Sequence, residues 1–403
     1  MHHQLAAGLV TLILIFGVPA AGAYAEPPAT NAAPPEVTAR ELPISVERVR
    51  EHIEYLASPK LQGRREGEGK RLAAEYLIQH YKKLKLQPVF ENQTYIQEIP
   101  GQRGADGSSS ILGVNIGAWL PGSDPELRDE VVIVSAHYDH LGVRNGQIYP
   151  GADDNASGVA MVLEVARAFA TAKNPPRRSI AFINFDLEEH MLWGSRWFAA
   201  HPPWPLEQVK LFITADLIGR SLGDLPFPVV FALGSESGTS LAAALGEVGS
   251  PPGLEVALLG ADLVGTRSDY GPFRDRKVPF LFFSCGEHPD YHTPQDTADR
   301  VDIAKVARVS TVILGVMQLV ASGTVTPEWQ ETVEPDVDEA RTLHRITELL
   351  LAEAEERNFS GVQRMLVSHV HTRTGQIIKR GTMTGDERRW LIRSAQLLLF
   401  SVF

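Results

Sequence analysis

Four short runs of β-branched and aromatic residues each lead into a histidine or a carboxylate, and this repeated ending limits the folds open to the chain. Residues 131–136 lead into His137-Tyr138-Asp139-His140, and 179–185 into Asp186-Leu187-Glu188-Glu189. Residues 210–215 end at Asp216, and 278–283 continue through Gly286 to Tyr291-His292. Such runs have the length and composition of buried strands. Helical patterns alternate with them: Ile53, Leu56 and Leu61, then Leu72, Ala73, Tyr76, Leu77 and Tyr81, then residues 156–172 and 301–321. The alternation predicts an α/β fold with a doubly wound, mostly parallel central sheet flanked by helices. In open sheets of that kind ligands bind at the carboxyl edge, where these polar residues would gather.

Their chemistry can be read residue by residue. Two metal ions a few ångströms apart need a bridging carboxylate, and each needs an imidazole and a further carboxylate. Asp154, in Pro150-Gly151-Ala152-Asp153-Asp154-Asn155-Ala156-Ser157-Gly158, suits the bridge because glycines flank its loop closely. His137 with Asp216, and His292 with Glu189, complete a balanced set. Nitrogen and oxygen donors without thiolate suit zinc, with cobalt or manganese as substitutes. Adjacent side chains do not easily reach one ion, so one of Glu188 and Glu189 can bind metal while the other takes a proton from water. A ligating imidazole is usually held through its second nitrogen by a carboxylate, and Asp139 and Asp296 are spaced for that. Singly, each of these residues reads as a cap or turn residue; jointly they read as a two-metal hydrolase of an amide, ester or phosphate. His140 is expected to support the site or lie at the surface, Asp153 to be a turn or supporting residue and not a ligand, and Asp186 to be a solvated strand end.

His137-Tyr138-Asp139-His140-Leu141-Gly142, the segment at 150–158, Glu188-Glu189 with Gly194-Ser195, Asp216-Leu217-Ile218-Gly219, Ser268-Asp269 and His292-Thr293-Pro294-Gln295-Asp296-Thr297 resemble the co-catalytic di-zinc aminopeptidases. These are secreted zinc metallo-exopeptidases related to glutaminyl cyclases. The resemblance covers roughly residues 45–325. It implies a zinc exopeptidase-like α/β/α sandwich, two zinc ions, Asp154 as bridge, Glu189 as ligand and Glu188 as general base. Asp139, spaced to hold His137, is counted with Glu188 as catalytic. The implied reaction is hydrolysis of the N-terminal peptide bond of peptides with a free N-terminus. Glutaminyl cyclase and carboxypeptidase activities are the alternatives. Tyr270 stands where many members carry histidine, and about thirty residues between 99 and 131 leave no room for a protease-associated insertion.

The remaining chain sets boundaries. An apolar run from Leu5 to Val18, then Pro19 and Ala23-Tyr24-Ala25, reads as a signal peptide over 1–25, with a Pro/Ala-rich leader over 26–44. Export to periplasm or medium is expected, with no membrane span once the signal is removed. A net charge of −11 argues against a nucleic-acid partner. The single cysteine, Cys285, excludes an intramolecular disulfide. The loop Gln62-Gly63-Arg64-Arg65-Glu66-Gly67 is polar and is expected at the surface or the cleft rim. Residues 326–403 are expected to form a helical extension, with apolar faces at Leu343, Ile346 and Leu350 and at Trp390 to Phe400.

Overall fold

The computed structural model of the protein describes residues 43–103 and 109–402. The expected signal peptide, and residues 26–42 of the expected leader, lie outside the described residues. Ile44, at the end of that leader, is fully buried.

The central sheet is built from β1 (Gln87–Pro88), β2 (Ile96–Arg103), β3 (Ser109–Leu120), β4 (Val131–His137), β7 (Ser179–Phe185), β8 (Val209–Ala215), β9 (Val229–Leu233), β10 (Glu255–Leu259) and β11 (Phe280–Ser284). A small hairpin, β5 (Gly142–Arg144) and β6 (Gln147–Tyr149), stands apart from it. The central strands run β7-β4-β8-β11 and are parallel. The sheet is mixed as a whole: β3 is antiparallel to β7 on one flank, and β9 is antiparallel to β11 on the other. Every residue of β4 and β7 is buried because helices cover both faces.

Strand alternation separates two cores. Val132, Val134 and Ala136 of β4 join a core with α1 (Val46–Leu56), α2 (Gly67–Lys83), α3 (Gly158–Ala170), α5 (Leu241–Val248) and α7 (Ile303–Ala321). Val131 and Ile133 join the opposite core with α4 (Trp193–Ala200), α6 (Gly271–Arg274) and three C-terminal helices, α8 (Val337–Ala352), α9 (Gly361–Arg380) and α10 (Gly385–Ser401). The helix α7 is long and apolar enough to cross a membrane, yet thirteen of its residues are buried, most of them in the first core. Its N-terminus is capped by Asp302, which accepts the Lys305 N–H at 2.9 Å.

The C-terminal helices share the second core with β9, β10 and β11. Leu343, Ile346 and Leu350 of α8 and Leu391 and Leu398 of α10 pack in the cluster that holds Phe231 and Phe282. A buried ion pair ties these helices together: Arg388 of α10 donates from Nε and Nη2 to Glu339 of α8, both at 2.9 Å. Oε1 of Glu339 also accepts the Gly260 N–H, which anchors α8 to the end of β10.

Candidate metal centre

Strand register assembles the site. Ser135 of β4 pairs with Thr214 of β8, so two residues on His137 stands level with Asp216. His137 also pairs with Phe185, three residues before Glu188. Nε2 of His137 consequently lies 3.4 Å from Oδ1 of Asp216 and 3.9 Å from Oε2 of Glu188. Asp154 arrives from the loop after β6. Its Oδ1 is 3.4 Å from Nε2 of His137, while its Oδ2 is 3.1 Å from Nε2 of His292. Nε2 of His292 is 3.2 Å from Oε2 of Glu189. Six of the sequence-selected residues thus converge, and Asp154 stands between two groups of donors.

His140 belongs to the second group. Fully buried, it places Nδ1 2.9 Å from Oε1 of Glu189 and 3.7 Å from Oδ2 of Asp154. The sequence assigns it no role as a ligand. Its spacing of three from His137, past a strand end, does not reveal that the chain turns back toward Glu189.

Asp139 holds the site in a different way from that expected. Nδ1 of His137 donates to the backbone carbonyl of Asp139 at 3.2 Å, whereas the carboxylate is 3.7 Å away. That carboxylate accepts the Glu188 N–H at 3.1 Å, so Asp139 positions both His137 and Glu188. Asp296 does not hold His292: its two oxygens accept the backbone N–H groups of Asp153 and Asp154, at 2.9 and 3.0 Å. Asp153 is fully buried and accepts the Gly219 N–H at 2.6 Å. Asp186 is buried rather than solvated, with Lys70 Nζ 2.9 Å from both oxygens. Tyr270 is a core residue stacked between Phe280 and Phe282, each 5.0 Å away.

The loop at 62–67 is not simply a surface loop. Arg64 is fully buried and donates to the carbonyls of Tyr138 (2.9 Å), Leu56 (2.5 Å), Pro150 (2.6 Å) and Gly151 (2.8 Å). Gly151 takes a positive φ of 61°, and a Cβ there would collide with the Asp154 carbonyl and the His140 ring. Leu187, Leu217 and His292 also have positive φ, so sparsely populated backbone conformations border the donors.

The electrostatics call for cations. Burial, reinforced by Glu189, pushes the Asp154 carboxyl up to about 7, against the pull of His292. Burial also raises Glu188 well above the usual carboxylate range; Asp269, Asp216 and Glu189 add to this, and His137 opposes it. Burial disfavours charge on His137, but Glu188, Asp216 and Asp154 outweigh it and hold the imidazole well above its ordinary value. Uncompensated buried carboxylates cost several kcal/mol each, and bound cations relieve that cost. Nε2 of His137, Nε2 of His140 and Oδ1 of Asp216 are buried without a hydrogen-bond partner. One donor atom each from His137, Asp154 and Asp216 lie within 4.8 Å of one another, as do those of His140, Asp154 and Glu189. The residues present therefore fit metal ions with nitrogen and oxygen ligation, the preference of zinc.

Comparison with known proteins agrees with this chemistry. The mouse endoplasmic reticulum metallopeptidase 1 is 26% identical over 292 residues; the match takes in 68% of this chain and 30% of the mouse protein, so the chain spans less than a third of that relative. A zinc aminopeptidase from Bacillus subtilis, called BSAP, superposes with a TM-score of 0.53 at 16% identity, covering 73% of this chain and all of that one. Glutaminyl cyclase from Porphyromonas gingivalis superposes with a TM-score of 0.54 at 17% identity, covering 68% of this chain and 98% of that one. At such identities the two structures share the fold. Residues 115–317, half of the sequence and every donor from His137 to His292, match a family model, and the chain belongs to peptidase family M28, a family of zinc metallopeptidases.

Proposed function

We propose that the protein is an exported two-zinc aminopeptidase that removes residues from the free N-terminus of peptides or proteins. The observation that carries this reading is the placement of Asp154, with Oδ1 3.4 Å from His137 and Oδ2 3.1 Å from His292. One ion is assigned to His137, Asp154 and Asp216. The other is assigned to Asp154, Glu189 and His292, with His140 as an added donor. Zinc bound there supplies Lewis acidity to the scissile carbonyl and acidifies the attacking water.

The chain's own groups handle the protons. Glu188, with 12% of its side chain exposed, reaches the cleft beside His137, accepts the proton of the attacking water and delivers it to the leaving amine. Asp139 keeps Glu188 in place through the backbone bond. Export is supported by the apolar run at residues 5–18 and the small residues that follow. Two complete donor groups favour hydrolysis over a one-zinc cyclase.

The test is release of free amino acids from unblocked and acetyl-blocked peptides by zinc-loaded protein, with and without chelator. Chelator-sensitive release from unblocked peptides alone is expected. Ammonia from N-terminal glutamine without other release would instead mark a cyclase.

A further inference from the structure

An apolar cavity of 160 Å³ borders the donor cluster. Asp216 and Tyr291 line it, and the Tyr291 ring stacks on His292 with centroids 3.9 Å apart, so cavity and metal centre share a wall. Phe231, Leu263 and Phe282 supply further wall. The cavity is completed by Leu343 and Ile346 of α8 and Ala395 and Leu398 of α10. These helices lie beyond residue 317, where the family match ends.

The chemistry of the walls limits the occupant. The charged residues that line the cavity besides Asp216 are Arg267 and Glu287, which pair with each other at 3.1 Å and are about half exposed. A charged side chain entering the apolar part would therefore lose its water without gaining a partner. An apolar cavity of about 150 Å³ is known to hold one benzene molecule, so this one matches a single large side chain and not a whole peptide.

We infer that α8 and α10 complete the pocket for the side chain of the substrate's N-terminal residue and select a large apolar or aromatic one. This rests on the aminopeptidase reading above. It assigns the C-terminal extension a part in substrate choice as well as in packing.

Two variants test it in the zinc-loaded full chain. Ala395→Phe fills the cavity and Ile346→Ala enlarges it; circular dichroism and thermal melting establish that each is folded. Hydrolysis of alanyl, leucyl, phenylalanyl and lysyl anilides is measured beside calorimetric binding of alaninol, leucinol and phenylalaninol. Wild-type protein is expected to favour leucyl and phenylalanyl over alanyl and lysyl substrates by roughly tenfold or more. Ala395→Phe should erase that preference, so that leucyl and phenylalanyl hydrolysis fall by roughly tenfold or more relative to alanyl hydrolysis. Ile346→Ala should move the optimum toward phenylalanyl, and it carries the test alone if Ala395→Phe does not fold.

A folded Ala395→Phe that keeps the leucyl preference, or a wild-type preference for alanyl or lysyl, overturns the assignment. If no anilide is cleaved but leucinol still binds more tightly than alaninol and Ala395→Phe removes the difference, the aminopeptidase reading fails and the pocket stands. If the three amino alcohols bind alike, the pocket fails, whatever the activity.

Discussion

Nη2 of Arg64 donates to the Gly151 carbonyl at 2.8 Å, so a buried guanidinium from the segment before α2 fastens the loop that carries Asp154. Its other bonds reach Leu56, Tyr138 and Pro150, which joins α1, the end of β4 and the Asp154 loop through one side chain. Arg64→Met strands four carbonyls in the interior. We expect a loss on the order of 3–5 kcal/mol of unfolding free energy. Urea denaturation measures it, and a loss below about 1 kcal/mol, the worth of one ordinary hydrogen bond, would contradict the assigned role.

Glu188→Gln keeps the shape and the backbone bond to Asp139 but cannot take a proton. Turnover should fall by roughly 10²–10⁴. Zinc content by elemental analysis should stay at the wild-type value. Loss of zinc together with activity would make Glu188 a ligand and not the base.

His140→Ala should weaken one of the two zinc-binding events and spare the other, because His140 approaches Glu189 and Asp154 but not Asp216. A loss of roughly 10–100-fold in affinity is expected for that event, as for supporting groups at metal sites. Competition with a chromophoric chelator resolves the two steps. Unchanged affinities would remove His140 from the centre.

Arg388→Leu leaves Glu339 buried without its cation, at a cost of about 3–5 kcal/mol. The double variant Glu339→Leu/Arg388→Leu should recover most of that stability, since the charge to be compensated is gone. Thermal melting of the two proteins makes the comparison. Equal melting temperatures for the single and double variants would show that the pair does not couple α8 to α10.

His52 gives a pH dependence of known sign. It is 4% exposed. Burial and the neighbouring His80 lower its pKa from 6.5 to about 3, with Arg48 and Arg167 in the same direction and Glu164 opposing. The unfolded chain takes up this proton below 6.5 and the folded chain only near 3, so stability present above 6.5 is lost as pH falls through that window. Between about pH 7 and pH 5 this single group accounts for a loss of about 2 kcal/mol. His52→Gln should flatten the acid limb of the stability profile by that amount, and parallel profiles for the two proteins would refute it.

Several elements were legible before the fold was known. The strands β4, β7, β8 and β11 and the helices α3 and α7 lie within two or so residues of their apolar runs, because buried parallel strands and core helices carry a strong pattern. The helix α9 carries no such pattern. Only Val367, Val370, Thr374 and Ile377 are buried on its twenty residues, too thin an apolar stripe to read as a period. The strands β9 and β10 are five residues each and follow prolines and glycines that read as loop.

Residue chemistry alone determined that histidines and carboxylates would meet at one sheet edge, because each follows a strand that has to be buried and parallel strands end on the same side. It also set Asp154 apart as the bridge and divided metal binding and proton transfer between Glu188 and Glu189, with the family resemblance implying which takes which. Only the tertiary structure decided which neighbours hold them in place. Arg64, His140 and Asp296 reach the centre through loops whose course depends on contacts far apart in the chain, and no local period records such contacts. The placement of α8 and α10 against the cavity was settled in the same way: an apolar helix face states that something must cover it, and the packed sheet states what does.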